Sequence, residues 1–423
     1  MSRLRARAGS TLALLGSLLG ACRGGAHQDE ATVVAKQVAA DVPQIEKAVG
    51  VRFRRPPRFE IRTRAQVRSF LIRQLDDSAT QRDLTGKEAA YKVLGLIPDT
   101  MHLKKLIVNL YSEQILGYYD PATKVLYIVQ GAPDEYRGIT IMHELVHALQ
   151  DQYIDLDSLQ HVTGNDDRAA AAQAVIEGEA TYEQLAIMLG GRGNIASGLP
   201  GGWERMREQI RESQSAEPVF SAAPMAIQEE LLFPYINGAE FVRRYKEARP
   251  GALPFRDMPA STEQVLHAPT YFHTPRDAPV RVALPAVPHT VYENVLGEFE
   301  TRLVLYQQLQ DQNTAIRAAA GWAGDRYVIV QTAAGNGIAW VSVWDSALDA
   351  AEFVDALGQA VQHRYRAPAS TAGPNGVRRY AGTGRTVVVT PREIGGRNVV
   401  LVVDVPAAAS PNVLDLARVA VGG

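Results

Sequence analysis

The chain predicts an α+β fold: a mainly helical region with a small β-sheet over residues 31–290, then a C-terminal helix and a ββαββα module over residues 291–423. Three patterns carry that expectation. Apolar residues recur at helical spacing through most of the stretch from Ala31 to Ala268. A hairpin pattern, QILGYYDPATKVLYIVQ, sits within that stretch. Two pairs of β-branched runs then flank one helical segment near the C-terminus. With 423 residues, 46% of them hydrophobic, the chain has room for two or three domains around sizeable cores.

The first residues read as an address. MSRLRARAGS carries three arginines and precedes the apolar run TLALLGSLLGA, which is too short to cross a bilayer as a helix. Residues 1–21 are therefore expected to be an export signal. Its end, Leu19-Gly20-Ala21-Cys22, resembles the lipobox of bacterial lipoproteins, which implies cleavage before Cys22, diacylation of its sulfur and membrane attachment in the cell envelope. Cys22 is the only cysteine, so it has no partner for an internal disulfide. Arg23, standing where an aspartate would retain the protein, resembles the outer-membrane sorting pattern of hosts with two membranes. Residues 22–30 form the tether.

Val34, Val38, Val42, Ile45 and Val49 predict a helix over residues 31–49, and RFEIRT alternates as a strand. Helical patterns follow over residues 65–75, 85–96 and, after Pro98, 103–111. The hairpin turns at Asp120-Pro121-Ala122-Thr123 and leads into a helix containing His143-Glu144-Leu145-Val146-His147. DDRAAAAQAVIEGEATYEQLAIMLG is rich in strong helix formers, and Gly190-Gly191 supplies its stop. The pattern stays helical from Trp203 to about Ala268, with Pro234 expected to interrupt it and Ser261-x-x-Gln264 resembling a capping box. PRDAPVRVALPAVPH then reads as a boundary. Beyond it, DRYVIVQ and IAWVSVW flank Gly335-Asn336-Gly337, a helix is expected over residues 347–364, RTVVVT and NVVLVVDV pair, and a short helix starts at Asn412. No catalytic constellation stands out in this module, which leaves it a structural or substrate-presenting role.

A net charge of -2 and no long like-charge run leave no basic footprint, so no nucleic-acid partner is expected. The oligomeric state is not legible.

The chemistry concentrates at His143-Glu144-x-x-His147. Histidines four apart lie one above the other on a helix face, so both imidazoles can reach one ion, and Glu144 beside the first can deprotonate a water held there. The flanking Ile139, Ile141, Met142, Leu145, Val146, Ala148 and Leu149 imply burial, where histidines need partners. Zinc supplies one; two core histidines bonded to backbone carbonyls are the competing reading. A catalytic zinc also needs a third protein ligand, and a carboxylate on a following helix is the usual source.

Residues Thr140 to Leu149 match the uncharged-flanked HExxH helix of the gluzincin superfamily of zinc metallopeptidases, and Glu177-Gly178-Glu179-Ala180-Thr181-Tyr182 resembles its Glu-Gly-x-Ala-x-Tyr element. The wider stretch from about Val51 to His267 looks like an uncharacterised bacterial set of peptidase-MA-like proteins. The resemblance implies a zincin-like domain, one Zn2+ held by His143, His147 and Glu177, Glu144 as general base, and hydrolysis of peptide bonds in envelope or extracellular proteins or peptides. Twenty-nine residues separate His147 from Glu177, more than in thermolysin-like enzymes, with YIDLDSLQHVTGNDD as the extra loop. That leaves Glu179 as a rival ligand. The two glutamates lie about 200° apart around a helix, so only one can face the ion. Asp151 is a candidate to orient His147, and Tyr182, Tyr235, His267 and Tyr271 are candidate donors to an oxyanion. The alternative function is an envelope binding or assembly lipoprotein that keeps the scaffold without turnover.

Overall fold

The computed structural model describes residues 11–12, 30–159, 163–191, 205, 207–208, 210–212, 217–370 and 373–422. Cys22 and the tether up to residue 29 lie outside them, as does most of the export signal. Among the described residues no helix is long and apolar enough to cross a membrane. The fold is mixed α+β, as expected, and mainly helical before residue 290.

A small sheet forms first. β1 (Thr11–Leu12), β2 (Arg58–Arg62), β3 (Gly117–Asp120) and β4 (Val125–Val129) lie in the order β1-β3-β4-β2. β3 and β4 are the expected hairpin, paired Gly117 to Ile128 and Asp120 to Val125. Asp120 closes its turn by accepting from the Ala122 amide and the Thr123 hydroxyl. β2 joins β4 in parallel, with Arg58 opposite Val125, a long-range pairing that local pattern does not encode. Both faces are covered. Leu126 and Ile128 enter the main core, while Tyr118, Val125, Tyr127 and Val129 pack on Val67, Phe70 and Leu71 of helix Arg64–Leu75.

The helices stack on the inner face. α1 (Glu30–Val49) turns Val34, Val38, Ile45 and Val49 inward. α2 (Arg64–Leu75) and α4 (Leu103–Gln114) occupy the expected runs, whereas α3 (Ser78–Leu94) starts seven residues before the expected Thr85, because the Asp77 carboxylate caps it by accepting from the Ala79 and Thr80 amides. α5 (Asp134–Gln150) is buried at every position from Thr140 to Gln150, since that stretch is apolar on every side except at Thr140, His143, Glu144, His147 and Gln150 and is flanked by sheet and helices. After the single turn α6 (Leu156–Leu159), α7 (Asp166–Met188) ends where Gly190 and Gly191 donate back to Ile187 and Ala186. α8 (Pro218–Ala222) precedes α9 (Met225–Ala248).

α9 corrects one expectation, because it runs straight through Pro234. A proline inside a helix costs about 3 kcal/mol. Leu232, Phe233, Ile236, Ala239 and Phe241 are all buried, and that packing on both sides of Pro234 outweighs the local penalty. The crossing of α7 and α9 is close at backbone level: a Cβ on Gly178 would lie 2.1 Å from the Gly238 carbonyl carbon, and one on Gly238 would lie 2.0 Å from the Ala174 oxygen. α10 (Thr262–Leu266) is capped by Ser261, whose hydroxyl accepts from the Gln264 amide, although Gln264 reaches back to Ala260 instead of Ser261. α11 (Ala268–Phe272) follows.

The C-terminal part is built on six antiparallel strands. β5 (Arg281–Ala283), β6 (Thr290–Asn294), α12 (Gly297–Leu309), α13 (Gln312–Ala319), β7 (Trp322–Thr332), β8 (Gly335–Trp344), α14 (Ala347–Tyr365), β9 (Arg378–Gly382), β10 (Arg385–Ile394), β11 (Arg397–Pro406) and β12 (Ala420–Gly422) follow in order. The sheet runs β6-β7-β8-β11-β10-β9. The expected ββαββα pattern is thus corrected twice. Arg378–Gly382 adds a third strand after α14, and the supposed last helix is only the turn Leu416–Arg418 before β12, which pairs with β5. β9 was hidden by its short, arginine-rich sequence, and β12 by its length of three residues. Trp322, Trp340 and Trp344 pack with Phe353 on one face; Val280, Val282 and Val419 cover the other. One hydrophobic core runs from Val34 to Val402, so the stretches on either side of residue 290 share it.

Candidate metal centre

Helical spacing places His143 and His147 on one face of α5, with ring centroids 4.8 Å apart and planes at 80°. Glu177 enters from the middle of α7, beside Gly178. Its Oε2 lies 3.1 Å from His143 Nε2 and 3.3 Å from His147 Nε2. The three residues each present a ligand atom within 4.8 Å of the others, and all are buried.

The remaining ring nitrogens are held from outside. His143 Nδ1 lies 3.2 Å from Gln184 Oε1, and His147 Nδ1 lies 3.0 Å from Gln150 Oε1. With the proton on Nδ1 donated to each amide oxygen, both Nε2 lone pairs point at the shared centre. Gln150 is fixed in turn, donating from Nε2 to the Ile176 carbonyl at 3.3 Å and to Glu179 Oε2 at 3.0 Å. Glu179 therefore faces the back of the site, where Lys246 lies 3.1 Å from it and 2.6 Å from Glu183. Sequence reasoning missed Gln150 and Gln184. The available signal was their position three residues after His147 and seven after Glu177, on the ligand faces of their helices.

Other candidates divide. Asp151 meets His147 only through the backbone, its amide donating to the His147 carbonyl, while its side chain takes hydrogen bonds from the Tyr119 hydroxyl (2.7 Å), Lys124 (3.0 Å) and the Leu156 amide (3.1 Å). It sits at the C-cap of α5, where its side chain serves the hairpin and the following loop. Of the four candidate donors, Tyr235 has its ring 6.0 Å from the His143 centroid. Tyr182 is buried on α7, about 140° around the helix from Glu177. His267 is engaged by Glu298 at 2.9 Å and Arg302 at 3.0 Å, and Tyr271 donates to the Asp257 carbonyl at 2.7 Å, so both serve other packing. Glu144 is fully buried, and its Oε2 accepts the Tyr119 amide of β3 at 2.7 Å.

Burial and charge pull against each other here. Burial favours a neutral Glu177, but the adjacent His147 and His143 overcome it and hold the carboxyl down at about 2. Burial lowers His143. It opposes charge on His147 as well, where Glu177 and Glu144 overcome it and push the imidazole up to about 9. Even so, His147 Nε2 and Glu177 Oε1 are buried without a hydrogen-bond partner. Such atoms are rare in folded proteins, and a cation between them accounts for both. Two imidazole nitrogens and one carboxylate oxygen form the donor set of a zinc site with one position left open; calcium and magnesium prefer oxygen alone.

A family model described as a domain of unknown function, DUF8575, matches residues 286–419. That is about a third of the chain, and it lies outside the helices carrying His143, His147 and Glu177. No curated protein and no solved structure matches the chain.

Proposed function

We propose that the protein is a zinc-dependent metallopeptidase with a zincin-like catalytic region, in which His143, His147 and Glu177 hold one Zn2+ and Glu144 is the general base. The observation that carries this reading is the convergence of three buried residues whose outward ring nitrogens are braced while, on the inward side, His147 Nε2 and Glu177 Oε1 lack hydrogen-bond partners. Zinc bound there would polarise the scissile carbonyl and make water acidic enough to lose a proton near neutral pH.

The chain's own residues supply the rest. Gln184 and Gln150 fix the imidazole orientations. The Tyr119 amide of β3, an edge strand once residues 1–21 and β1 with them are cleaved, holds Glu144 Oε2. From there Glu144 takes the proton of the attacking water and passes it to the departing amine. The same edge suits an extended peptide, since β3 pairs antiparallel with Thr11–Leu12 opposite Tyr119 and Tyr118. Substrates are proteins or peptides of the envelope or its surroundings, with lipid on Cys22 as the tether.

Glu144→Gln tests the reading. The variant should keep zinc and fold and lose turnover of a broad peptide library by at least about a hundredfold, while a chelator should abolish wild-type turnover. Equal cleavage by zinc-loaded wild type and Glu144→Gln would favour a non-catalytic binding or assembly lipoprotein instead.

A further inference from the structure

A second cluster lies outside the metal centre. Glu263 belongs to α10, Asp277 to the loop after α11, and Asp345 to the junction between β8 and the Ser346 cap of α14. One oxygen from each lies within 4.8 Å of the other two. Two ligands on opposite sides of an ion bonded at about 2.4 Å span the same distance. The loop is placed from both sides, because Gln264 Nε2 donates to the Asp277 carbonyl and the Asp277 amide donates to the Thr270 carbonyl.

Acidic clusters on surfaces are common, but Glu263 is not on the surface. It is 4% exposed, and its carboxyl makes no hydrogen bond or ion pair among the described residues. The charges that act most strongly on it, Glu298, Asp277, Asp345 and Asp167, are acidic, although Arg397 draws the neighbouring Asp345 down against the burial that raises it. Glu298 spends its Oε1 on His267 and Arg302, leaving a buried Oε2 without a partner. A buried carboxyl among four carboxylates needs either a proton or a cation.

We propose that Glu263, Asp277 and Asp345 form a second metal site, for a hard divalent cation of the calcium type, joining α10 to the C-terminal sheet. The donors are all carboxylate oxygens, without the nitrogen or sulfur that zinc favours. Asp277 and Asp345 are exposed, so water can complete the six to eight ligands that calcium takes. Thr262, next to Glu263, donates to Asp167 in the first turn of α7. An ion here therefore braces the helix that carries Glu177. Without one, burial and then the neighbouring Glu298, Asp277 and Asp345 push Glu263 up to about 9, so a proton fills the place.

The test is calcium titration of the zinc-loaded full chain by calorimetry, with terbium luminescence excited through Trp344, the residue before Asp345. One saturable calcium site is expected, with terbium emission displaced by calcium and a thermal midpoint that rises as calcium is added. Asp345→Asn and Asp277→Asn change exposed positions and should fold normally, yet weaken calcium by at least about tenfold each. Glu263→Gln should lose it. The proposal is overturned if wild type shows no saturable calcium or terbium binding, which leaves the proton as the occupant. Binding of equal strength in all three variants overturns it too.

Discussion

Asp325 and Glu177 are both buried carboxylates, and the chain treats them in opposite ways. Asp325 Oδ1 accepts from the Gly297 amide at 2.9 Å and Trp322 Nε1 at 3.0 Å; Oδ2 accepts from the Leu296 amide at 3.0 Å and Trp340 Nε1 at 3.1 Å. Every donor it needs comes from the C-terminal module. Glu177 instead crowds both histidines onto Oε2 and leaves Oε1 unserved. A buried charge that the fold satisfies completely is part of the scaffold, whereas one left short is reserved for something the chain does not supply.

Asp325→Asn should have the largest effect on folding. The asparagine amide would meet two of four N–H donors, leaving them unsatisfied at about 1 to 3 kcal/mol each. Chemical denaturation of the metal-free chain should show that loss. Glu177→Gln should lose only about 1 kcal/mol in the same assay, because His147 can release its proton, while zinc binding disappears. Equal losses would erase the contrast.

Gly178→Ala comes next, at about 3 kcal/mol. Its Cβ would meet Gly238 backbone, which cannot rotate away. The same substitution should lower zinc occupancy, measured by metal analysis after dialysis, because α7 must shift with Glu177 on it. Unchanged stability would mean that the helix pair slides freely.

Gln150→Ala should still fold, at a cost of about 1 to 3 kcal/mol for the buried acceptors it leaves unpaired, and weaken zinc by about 10- to 100-fold, the usual consequence of freeing a ligating imidazole. Competition with a chromophoric chelator reads this directly. No change would show that His147 is oriented by packing alone.

Asp41 offers the mildest contrast. It is buried on α1, and burial raises its carboxyl against the Gln37 amide that serves both oxygens. A raised folded value means that its contribution is full below the ordinary carboxylate range and is lost as pH rises through the folded value. Asp41→Asn should therefore flatten the fall in stability as pH rises from the ordinary carboxylate range upward, by no more than about 1 kcal/mol. A steeper fall in the variant would reverse the sign.

What could be read from the sequence follows what is local. His143, Glu144 and His147 were legible because helix periodicity itself sets their geometry, and the hairpin was legible because its turn lies between its strands. Glu177 required a match of pattern, since twenty-nine residues intervene. The reason for Gly178 appears only at α9, and the roles of Gln150 and Gln184 depend on how two helices are rotated toward each other. Asp151 misled because spacing does not show which way a C-cap side chain turns. Pro234 misled because local propensity was weighed without the burial on either side of it. Glu263, Asp277 and Asp345 come from three segments, which no linear pattern joins.

α7 is fastened at its start and used at its middle. Asn294 accepts the Asp166 amide at 2.8 Å, and Asp167 accepts the Thr262 amide at 2.9 Å. Glu177 lies ten residues beyond Asp167, about 15 Å along the axis. Over that arm a tilt of about 2° carries the carboxylate about 0.5 Å, as much error as a metal site tolerates. β6, which supplies none of the three residues proposed to hold zinc, is thus the mount from which Glu177 is aimed, and a chain cut ahead of Asn294 would keep His143, His147 and Glu177 and lose their alignment.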